Sequence, residues 1–403
     1  MVVACIDYGN GGHRLHLMRM AVKSLLKLGC KVVCITNETS PIQDWIEQNA
    51  ANKHNVVYYS HTLVKAKERK NGHLNDCLVA AQYWKQYNSV LKKIEHKYQL
   101  CIDVVLINYI DIFLSRYFPI SIQKKLFPYK WAGLYIHPRY MRMYASNELY
   151  NKKSNLRDID YFFTSKRCLG VGIFDNGIVP HLSKRIGKPA TSIPDISDVS
   201  TNNKNYPIVD DIKKAAKGRT IIGSIGMSYY SGVIDLIKLV NTSAKEKYFF
   251  VFVGQFDEGC YAYIPNEEDR ILLRNFRNTT GDNFIWKEDY LENEQEYNAV
   301  FNTLDIIFMM YPEHYTSSNR LTKAAFFKKL VLASNVHCVG ENVVKYKLGE
   351  VATPGNIAEQ LGKLEILNQQ IATKNFPIKQ WETYYELNSN QVFQAQLKKL
   401  LIQ

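Results

Sequence analysis

The sequence lacks the features of an exported or membrane-spanning chain. Its start, MVVACIDYGNGG, has no basic segment followed by an apolar stretch and a small-residue cleavage site, so it is not expected to be a secretory signal. No run approaches the ~18 consecutive apolar residues of a membrane span. The richest apolar runs, Val104–Ile107 and Ile306–Met310, are short, which is typical of buried strands. We therefore expect a cytoplasmic protein.

Patterns that bind metals or form disulfides are also missing. The eight cysteines are scattered without a Cys-x-x-Cys pair, and no Cys/His cluster has the spacing of zinc ligands. Cys5, Cys34 and Cys101 lie in or beside apolar runs, which predicts reduced, buried thiols. We expect no metal and no cofactor. No signature of a nucleic-acid-binding module is present, so nucleic acid is not an expected partner.

Composition excludes a disordered or fibrous chain. Hydrophobic residues make up 46% of the 403 residues and charged residues 22%, close to globular averages. At about 150 residues per domain, the length predicts two to three domains.

The positive charge is confined to the first half of the chain. The net charge is +13, and residues 1–200 hold 28 basic against 15 acidic residues, whereas residues 201–403 hold 23 of each. A basic surface favours an anionic partner such as a nucleotide, a phosphate group or a membrane.

Strand-like runs alternate with helical periods along the chain. The pattern begins with Val2–Asp7, a glycine-rich turn, an amphipathic helix that closes at Gly29, and the strand Lys31–Thr36; it restarts at Thr220–Ile225. Continuous apolar strands joined by helices indicate a parallel sheet covered on both faces. We predict an α/β fold of two tandem Rossmann-like, doubly wound domains that face a cleft.

Domain bounds follow from the same pattern. We predict a first domain over residues 1–200, a second over 201–380, and a terminal helix, Trp381–Ile402, within 381–403. Within the first domain, Tyr161–Thr164 is predicted to be a short strand. In doubly wound domains ligands bind at the carboxyl ends of the strands.

Two glycine turns stand where ligands of such domains bind. Gly9-Asn10-Gly11-Gly12 opens the first helix, and Gly223–Ser228, with Gly226, opens the second domain in the same way; Gly254 ends the next strand. Glycine lets the backbone approach a ligand closely, although either turn is equally explained by a need for positive φ. The first lacks the full G-x-G-x-x-G spacing, so a dinucleotide site is weakly supported.

A helix start in the second domain favours phosphate binding. The segment Ser317–Lys323 follows a buried strand and includes Ser318 and Asn319, which are typical of an N-cap. Arg320 and Lys323 share one helix face in the first turn, where cations oppose the helix dipole. A bound anion would explain them; the alternative is a solvated, capped helix.

His137 ends a predicted strand of the first domain, in Tyr135-Ile136-His137-Pro138. At that place a histidine can donate to a phosphate or act as a base. A partly buried histidine whose ring is hydrogen-bonded within the protein explains the pattern equally well.

Basic and aromatic residues are interleaved in two segments of the first half, Ser121–Trp131 and Arg139–Arg157. This mixture suits an anionic membrane interface or single-stranded nucleic acid. An ordinary solvated surface over buried aromatics remains the alternative for each patch.

Together these segments resemble glycosyltransferases of the GT-B fold, in the large family 4 group (glycosyl transferases group 1). Four segments carry the resemblance: Gly11-Gly12 with the helix closed by Leu28-Gly29-Cys30-Lys31-Val32, then Ile193-Pro194-Asp195, Ile221–Gly232, and Asp305–Ala333. The resemblance spans nearly the whole chain through loose motifs.

The resemblance implies a retaining, metal-independent enzyme that moves a sugar from a nucleotide sugar to a glycan or lipid-linked acceptor, in cell-surface polysaccharide or lipopolysaccharide biosynthesis. The first domain would bind the acceptor and the second the donor, and the terminal helix from Trp381 would cross back to the first domain. The residues implied at the donor are Gly11, Gly12, Gly226, Ser228, Gly254, Ser317, Ser318 and Asn319, with His137, Arg320 and Lys323 at the reacting groups. With its basic first domain, the protein is expected at the inner face of the cell membrane.

The chain departs from the family at three positions. Tyr315 and Lys323 stand where the family has two glutamates eight residues apart, the second of which holds the ribose hydroxyls, and Ser231 replaces a lysine. These departures leave an alternative open: a non-catalytic GT-B protein that acts as a partner or binding protein.

Overall fold

The computed structural model describes residues 1–9, 12–64, 73–115, 118–138, 159–288, 291, 293–312 and 314–402. The chain forms two compact units, one of Met1–Ile196 with Ser389–Gln403, the other of Ser197–Asn388.

Strands and helices alternate in the described residues. The strands are β1 (Val2–Ile6), β2 (Lys31–Thr36), β3 (Val56–Ser60), β4 (Val104–Ile107), β5 (Trp131–Tyr135), β6 (Cys168–Ile173), β7 (Ala190–Ser192), β8 (Thr220–Met227), β9 (Tyr248–Phe256), β10 (Phe284–Lys287), β11 (Ile306–Met309), β12 (Leu330–Ser334) and β13 (Gly349–Ala352). The helices are α1 (Gly12–Lys27), α2 (Ser40–Asn49), α3 (His73–Tyr98), α4 (Ile120–Leu126), α5 (Val179–Ile186), α6 (Pro207–Ala216), α7 (Val233–Thr242), α8 (Glu267–Arg277), α9 (Glu294–Thr303), α10 (Asn319–Phe327), α11 (His337–Tyr346), α12 (Ile357–Thr373), α13 (Ile378–Leu387) and α14 (Asn390–Leu401).

The first unit is built on a parallel sheet in the order β3-β2-β1-β4-β5-β6-β7. Strands β1, β4 and β5 are buried almost throughout, as their continuous apolar sequences predict. The strand order reverses between β1 and β4. Ligands of doubly wound sheets bind at the carboxyl ends of the strands beside such a reversal.

One strand prediction in this unit is wrong. Tyr161–Thr164 lies in a 3₁₀ helix, and the sheet is continued instead by β6. The aromatic run packs Phe162 and Phe163 into the core without pairing. Strand β6 was not predicted because it contains Gly170 and Gly172, and glycine is depleted in strands. Its Gly172 is needed for close packing, since a Cβ there would lie 2.6 Å from Cγ1 of Ile193.

The second unit repeats the design with six parallel strands in the order β10-β9-β8-β11-β12-β13. Its strand order reverses between β8 and β11. The pairing of β8 with β9 shifts register between Ile225 and Met227, at the predicted glycine turn.

The terminal segment differs from the single helix predicted over Trp381–Ile402. It forms α13 and α14, with a break at Asn388 and Ser389, whose hydroxyl caps α14. Trp381 is fully buried in the second unit, where its indole donates to the carbonyl oxygen of Lys347 at 2.7 Å. Helix α14 packs on α1 and β6 of the first unit through an apolar face that includes Phe393.

The cysteines are free thiols, as predicted. Cys5 and Cys34 are buried, but the expectation for Cys101 is wrong: it is exposed in the loop before β4. No helix in the described ranges combines the length and apolarity needed to cross a bilayer.

Charge differs sharply between the units. The first unit carries 30 basic and 14 acidic residues, a net charge of +16, and the second carries 21 and 24, a net charge of −3. The positive charge of the chain therefore resides entirely in the first unit.

Candidate functional site

Two glycines shape the carboxyl end of β8, beside the point where the second sheet reverses its order. Gly226 has a φ of +85° and Gly254, on β9, a φ of +113°, conformations that favour glycine. The two backbones are in close contact, because a Cβ on Gly254 would lie 2.9 Å from the nitrogen of Gly226. Side chains at either position would therefore distort the turn.

Arg320 fixes this turn from helix α10. Its guanidinium donates to the carbonyl oxygen of Ile225, and Nη1 donates to Oγ of Ser224 at 3.3 Å. A Cβ on Gly226 would lie 3.0 Å from Nη2 of Arg320. The glycine turn and Arg320, which were expected separately at the donor, are thus in direct contact within the second unit.

Two tyrosines, Tyr311 and Tyr297, lie against the Arg320 guanidinium. Burial acts to lower the pKa of Arg320, but Tyr311 and Tyr297 raise it, and the net shift is upward. A permanently charged guanidinium in a partly desolvated setting attracts anions more strongly than it would in water.

Helix α10 begins beside β11 without a side-chain cap. The hydroxyl of Ser318, the residue at the cap position, forms no capping hydrogen bond and instead pairs with the Tyr311 hydroxyl at 3.1 Å. Ser317 contacts His314 through its carbonyl oxygen, 2.9 Å from Nε2. Asn319 is the first helical residue. The predicted N-cap hydrogen bond from Ser318 is absent, and a helix start of this kind suits an anion.

Lys323 does not share the setting of Arg320. Its side chain is 3% exposed, and Nζ donates to Glu294 Oε1, to Asn298 Oδ1 and to the carbonyl oxygen of Asp198. Those three bonds use all three N–H donors of an ammonium group. Nζ also lies 4.8 Å from the centre of the Tyr297 ring. The contacts correct the expectation of a phosphate ligand: Lys323 joins α10 to α9.

Ser228 and Ser231 close the segment after the turn. The Ser228 amide donates to Oγ of Ser231 at 3.0 Å, and Oγ of Ser231 donates back to the Ser228 carbonyl at 2.8 Å. Ser231 is therefore a structural residue that holds Ser228 beside Gly226.

The first unit has a polar cluster at the carboxyl ends of β1 and β4 that sequence reasoning missed. Arg14, in the first turn of α1, pairs with Asp7, which follows β1 and is 1% exposed. The Arg14 guanidinium carbon lies 3.7 Å from the ring centre of Tyr8 and 4.3 Å from that of Tyr109. Burial raises the pKa of Asp7, although Arg14 counteracts it. An acidic residue closing a strand before a helical arginine was the available signal.

The first glycine turn is occupied in part by Arg14. Gly9 donates its amide to Asp7 at 3.1 Å, and a Cβ on Gly9 would lie 3.0 Å from the Arg14 guanidinium. Helix α1 begins at Gly12. Gly11 lies outside the described residues, so its predicted contact with the donor stays a prediction.

His137 follows β5 and is exposed. Its amide donates to Oδ1 of Asp111 at 2.9 Å, and the Ile136 amide donates to Oδ2 at 3.1 Å. Burial raises the pKa of Asp111, and these amides counteract it. Asp111 thus fixes the backbone of His137 and leaves its imidazole at the surface.

The second-unit residues Gly226, Gly254, Ser228, Ser318 and Arg320 meet at one edge of one sheet. His137 belongs to the first unit. Among the described residues, no group of three or more His, Cys, Asp or Glu side chains could hold a metal ion.

Comparison with known proteins gives structural relatives without sequence relatives. No family model matches the chain, and no curated protein matches its sequence. A glycosyltransferase from Rickettsia africae is similar in structure, with 13% identity, a TM-score of 0.61, and coverage of 100% of this chain and 98% of that one.

Two further structures are similar over their full length. Sucrose-phosphate synthase from Thermosynechococcus elongatus has 13% identity and a TM-score of 0.64, covering 99% of this chain and 97% of its own. HepE from Anabaena, in complex with UDP-glucose, has 13% identity and a TM-score of 0.63, covering 99% and 98%. At such identities the likeness establishes the fold, and it confirms the predicted GT-B architecture.

Proposed function

We propose that the protein is a glycosyltransferase that moves a sugar from a nucleotide-sugar donor to a glycan or lipid-linked acceptor. The observation that carries this proposal is the contact of Arg320 with the Gly226 turn beside the uncapped start of α10. A fixed cation, a glycine turn and helix amides form a setting for a diphosphate. HepE, one of the similar structures, is in complex with UDP-glucose.

The proposed reaction is retaining and needs no metal. The bond from the sugar to the diphosphate breaks, the acceptor oxygen bonds to the same carbon, and the acceptor proton passes to the leaving diphosphate. Negative charge develops on that diphosphate, so preorganised donors there lower the barrier. We assign this role to Arg320 and the α10 amides, with Ser228 and Gly254 lining the donor. His137 is proposed to contact the transferred sugar or its phosphate.

The first unit is proposed to bind the acceptor. Its cluster of Asp7 and Arg14 between two tyrosine rings offers donors, acceptors and aromatic faces, the groups that sugar hydroxyls and rings require. The net charge of +16 on this unit supports docking on an anionic membrane that carries a lipid-linked acceptor.

A thermal-shift panel of UDP-, GDP-, ADP- and CDP-sugars tests the donor proposal, since a ligand of the folded state raises the unfolding temperature. We expect one nucleotide class to stabilise the protein in a concentration-dependent manner. If none of the four classes does so at millimolar concentration, the proposal is wrong.

A non-catalytic GT-B partner protein is the second candidate. It is favoured by one observation: Lys323 stands in place of a family glutamate and is fully engaged inside the protein. A protein of this kind would bind no sugar nucleotide, or would bind one and never release its nucleoside diphosphate.

A further inference from the structure

Glu294 is an accessible carboxylate that a buried cation holds in place. It is the first residue of α9, and its side chain is 43% exposed. Its Oε1 accepts a hydrogen bond from Lys323, whose side chain is only 3% exposed. The ion pair is therefore asymmetric, with the cation inside the protein and the carboxylate at its surface.

The ion pair of Glu294 and Lys323 lies between one face of α9 and one face of α10. Glu294, Tyr297 and Asn298 are spaced by three and four residues, so they share one face of α9. Arg320 and Lys323 share the facing side of α10 in the same way. Lys323 bonds Glu294 and Asn298, while Tyr297 contacts both cations of α10. A row of polar groups thus runs from the β8 turn through Arg320 and Tyr297 to Glu294.

The row ends at the edge of the sheet where the donor is proposed to bind. Helix α9 leads into β11, so its first residue lies near the carboxyl edge of the parallel sheet. Side chains on a helix point toward its N-terminus, which carries Nζ of Lys323 toward the same edge. Arg320 and Lys323 are about one helical turn, ~5 Å, apart along α10. Because Lys323 bonds Glu294, this carboxylate lies one step along the row from Arg320.

We propose that Glu294 accepts hydrogen bonds from the neighbouring 2′- and 3′-hydroxyls of the ribose of a bound nucleotide, and that Lys323 is a positioning residue for it. The inference rests on the proposed donor site. A nucleoside diphosphate held by its phosphates at Arg320 extends its ribose along the row. A carboxylate has about four acceptor positions on two oxygens, and Lys323 uses one.

The buried charge of Lys323 explains why a carboxylate is needed at position 294. With Asn298 and the Asp198 carbonyl as its other acceptors, the buried ammonium needs one anion for neutrality. Glu294 supplies that anion while its side chain stays 43% exposed. Hydrogen bonds from hydroxyls to a fixed carboxylate are charge-assisted and stronger than neutral ones.

Calorimetric titration with paired nucleotides tests the proposal. UDP, GDP, ADP and CDP are titrated into the full-length protein beside their 2′-deoxy forms. For the nucleotide that binds best, we expect the wild type to prefer the ribose form about tenfold or more. Glu294→Gln keeps an oxygen for Lys323 and removes the charge, and it should reduce this preference to about twofold or less. Glu296→Gln, on the same helix, is the matched control and should keep the full preference.

The outcomes separate the two proposals. If Glu294→Gln weakens ribose and deoxyribose forms equally, or changes neither, Glu294 does not bind the ribose and the donor site stands without it. If the wild-type protein binds none of the eight nucleotides, the proposed function fails and this inference fails with it. A second variant, Lys323→Met, should move the ribose preference in the same direction as Glu294→Gln if Lys323 positions the carboxylate, and its unchanged preference would overturn that role.

Discussion

Gly226 and Arg320 are in contact across 94 residues of sequence: a Cβ on Gly226 would lie 3.0 Å from Nη2 of Arg320. The guanidinium also bonds the carbonyl oxygen of Ile225, the residue before the glycine. The turn after β8 and the start of α10, which are far apart in sequence, therefore contact each other directly.

Gly226→Ala should disrupt nucleotide binding beyond its cost in stability. The substitution places a Cβ on a residue with φ of +85° and presses it against Arg320. Gly218→Ala is the matched control, since Gly218 has φ of +80° and a Cβ added there would meet nothing within 4 Å. Both variants should lose about 1 kcal/mol in urea unfolding. Only Gly226→Ala should also lose affinity for the best nucleoside diphosphate, by about tenfold; equal affinity in both variants would contradict the assignment.

Arg320→Ala should abolish the thermal shift produced by the best sugar nucleotide. The change removes the fixed cation and releases the Ile225 carbonyl. Arg320→Lys keeps the positive charge but loses the planar guanidinium with its several N–H donors, so an intermediate thermal shift is expected. Arg274→Ala removes an exposed arginine from the same unit and should leave the shift unchanged. A full shift in Arg320→Ala would remove this residue from the donor site.

Lys323→Met should destabilise the second unit. It leaves Asn298 and the Asp198 carbonyl without their buried donor, and a loss of about 2 kcal/mol in the free energy of unfolding is expected. Lys328→Met removes a lysine that is 52% exposed and pairs with Glu382 at the surface, so it should cost less than about 0.5 kcal/mol. Equal unfolding midpoints for the two variants would show that the internal bonds of Lys323 contribute little.

Nucleoside diphosphate release should not depend on a divalent cation. The proposed mechanism neutralises the leaving charge with Arg320 and helix amides, so dialysis against EDTA should leave the rate within about twofold. Loss of activity after EDTA, restored by Mg²⁺ or Mn²⁺, would require a metal in the reaction.

The first unit should bind anionic vesicles. Lys130 and Arg167 are exposed and adjacent, because the Trp131 amide donates to the Arg167 carbonyl at 2.9 Å. Sedimentation with phosphatidylglycerol vesicles is expected at low salt, and release at high salt, with no binding to neutral phosphatidylcholine. Lys130→Glu with Arg167→Glu should weaken binding, whereas the same exchange at Lys374 and Lys379 of the second unit should not. Equal binding to neutral vesicles would contradict an electrostatic dock.

The fold was predictable because its strands are continuous apolar runs between helical periods. Prediction failed where packing overrides local preference: β6 contains glycines that its neighbours require, and Phe162 and Phe163 fill the core from a 3₁₀ helix. The break before Ser389 was missed because the sequence there has no proline or glycine.

Part of the candidate site could be anticipated from residue types, since glycines mark the turn after β8 and Arg320 is a cation in the first turn of a helix. Their contact is seen in the structure, and their binding of a donor stays a prediction. Lys323 was misjudged because sequence spacing gives the helix face but not what the face packs against, here Glu294 and Asn298 of α9. The pairing of Asp7 with Arg14 was missed for the same reason.

The most direct test of the central claim measures release of nucleoside diphosphate from the stabilising sugar nucleotide, with and without a membrane-lipid or glycan acceptor fraction. We predict release that rises with acceptor and falls at least tenfold in Arg320→Ala. Tight binding of the sugar nucleotide with no release above the protein-free rate, for every acceptor fraction, would contradict a glycosyltransferase and support a non-catalytic GT-B protein.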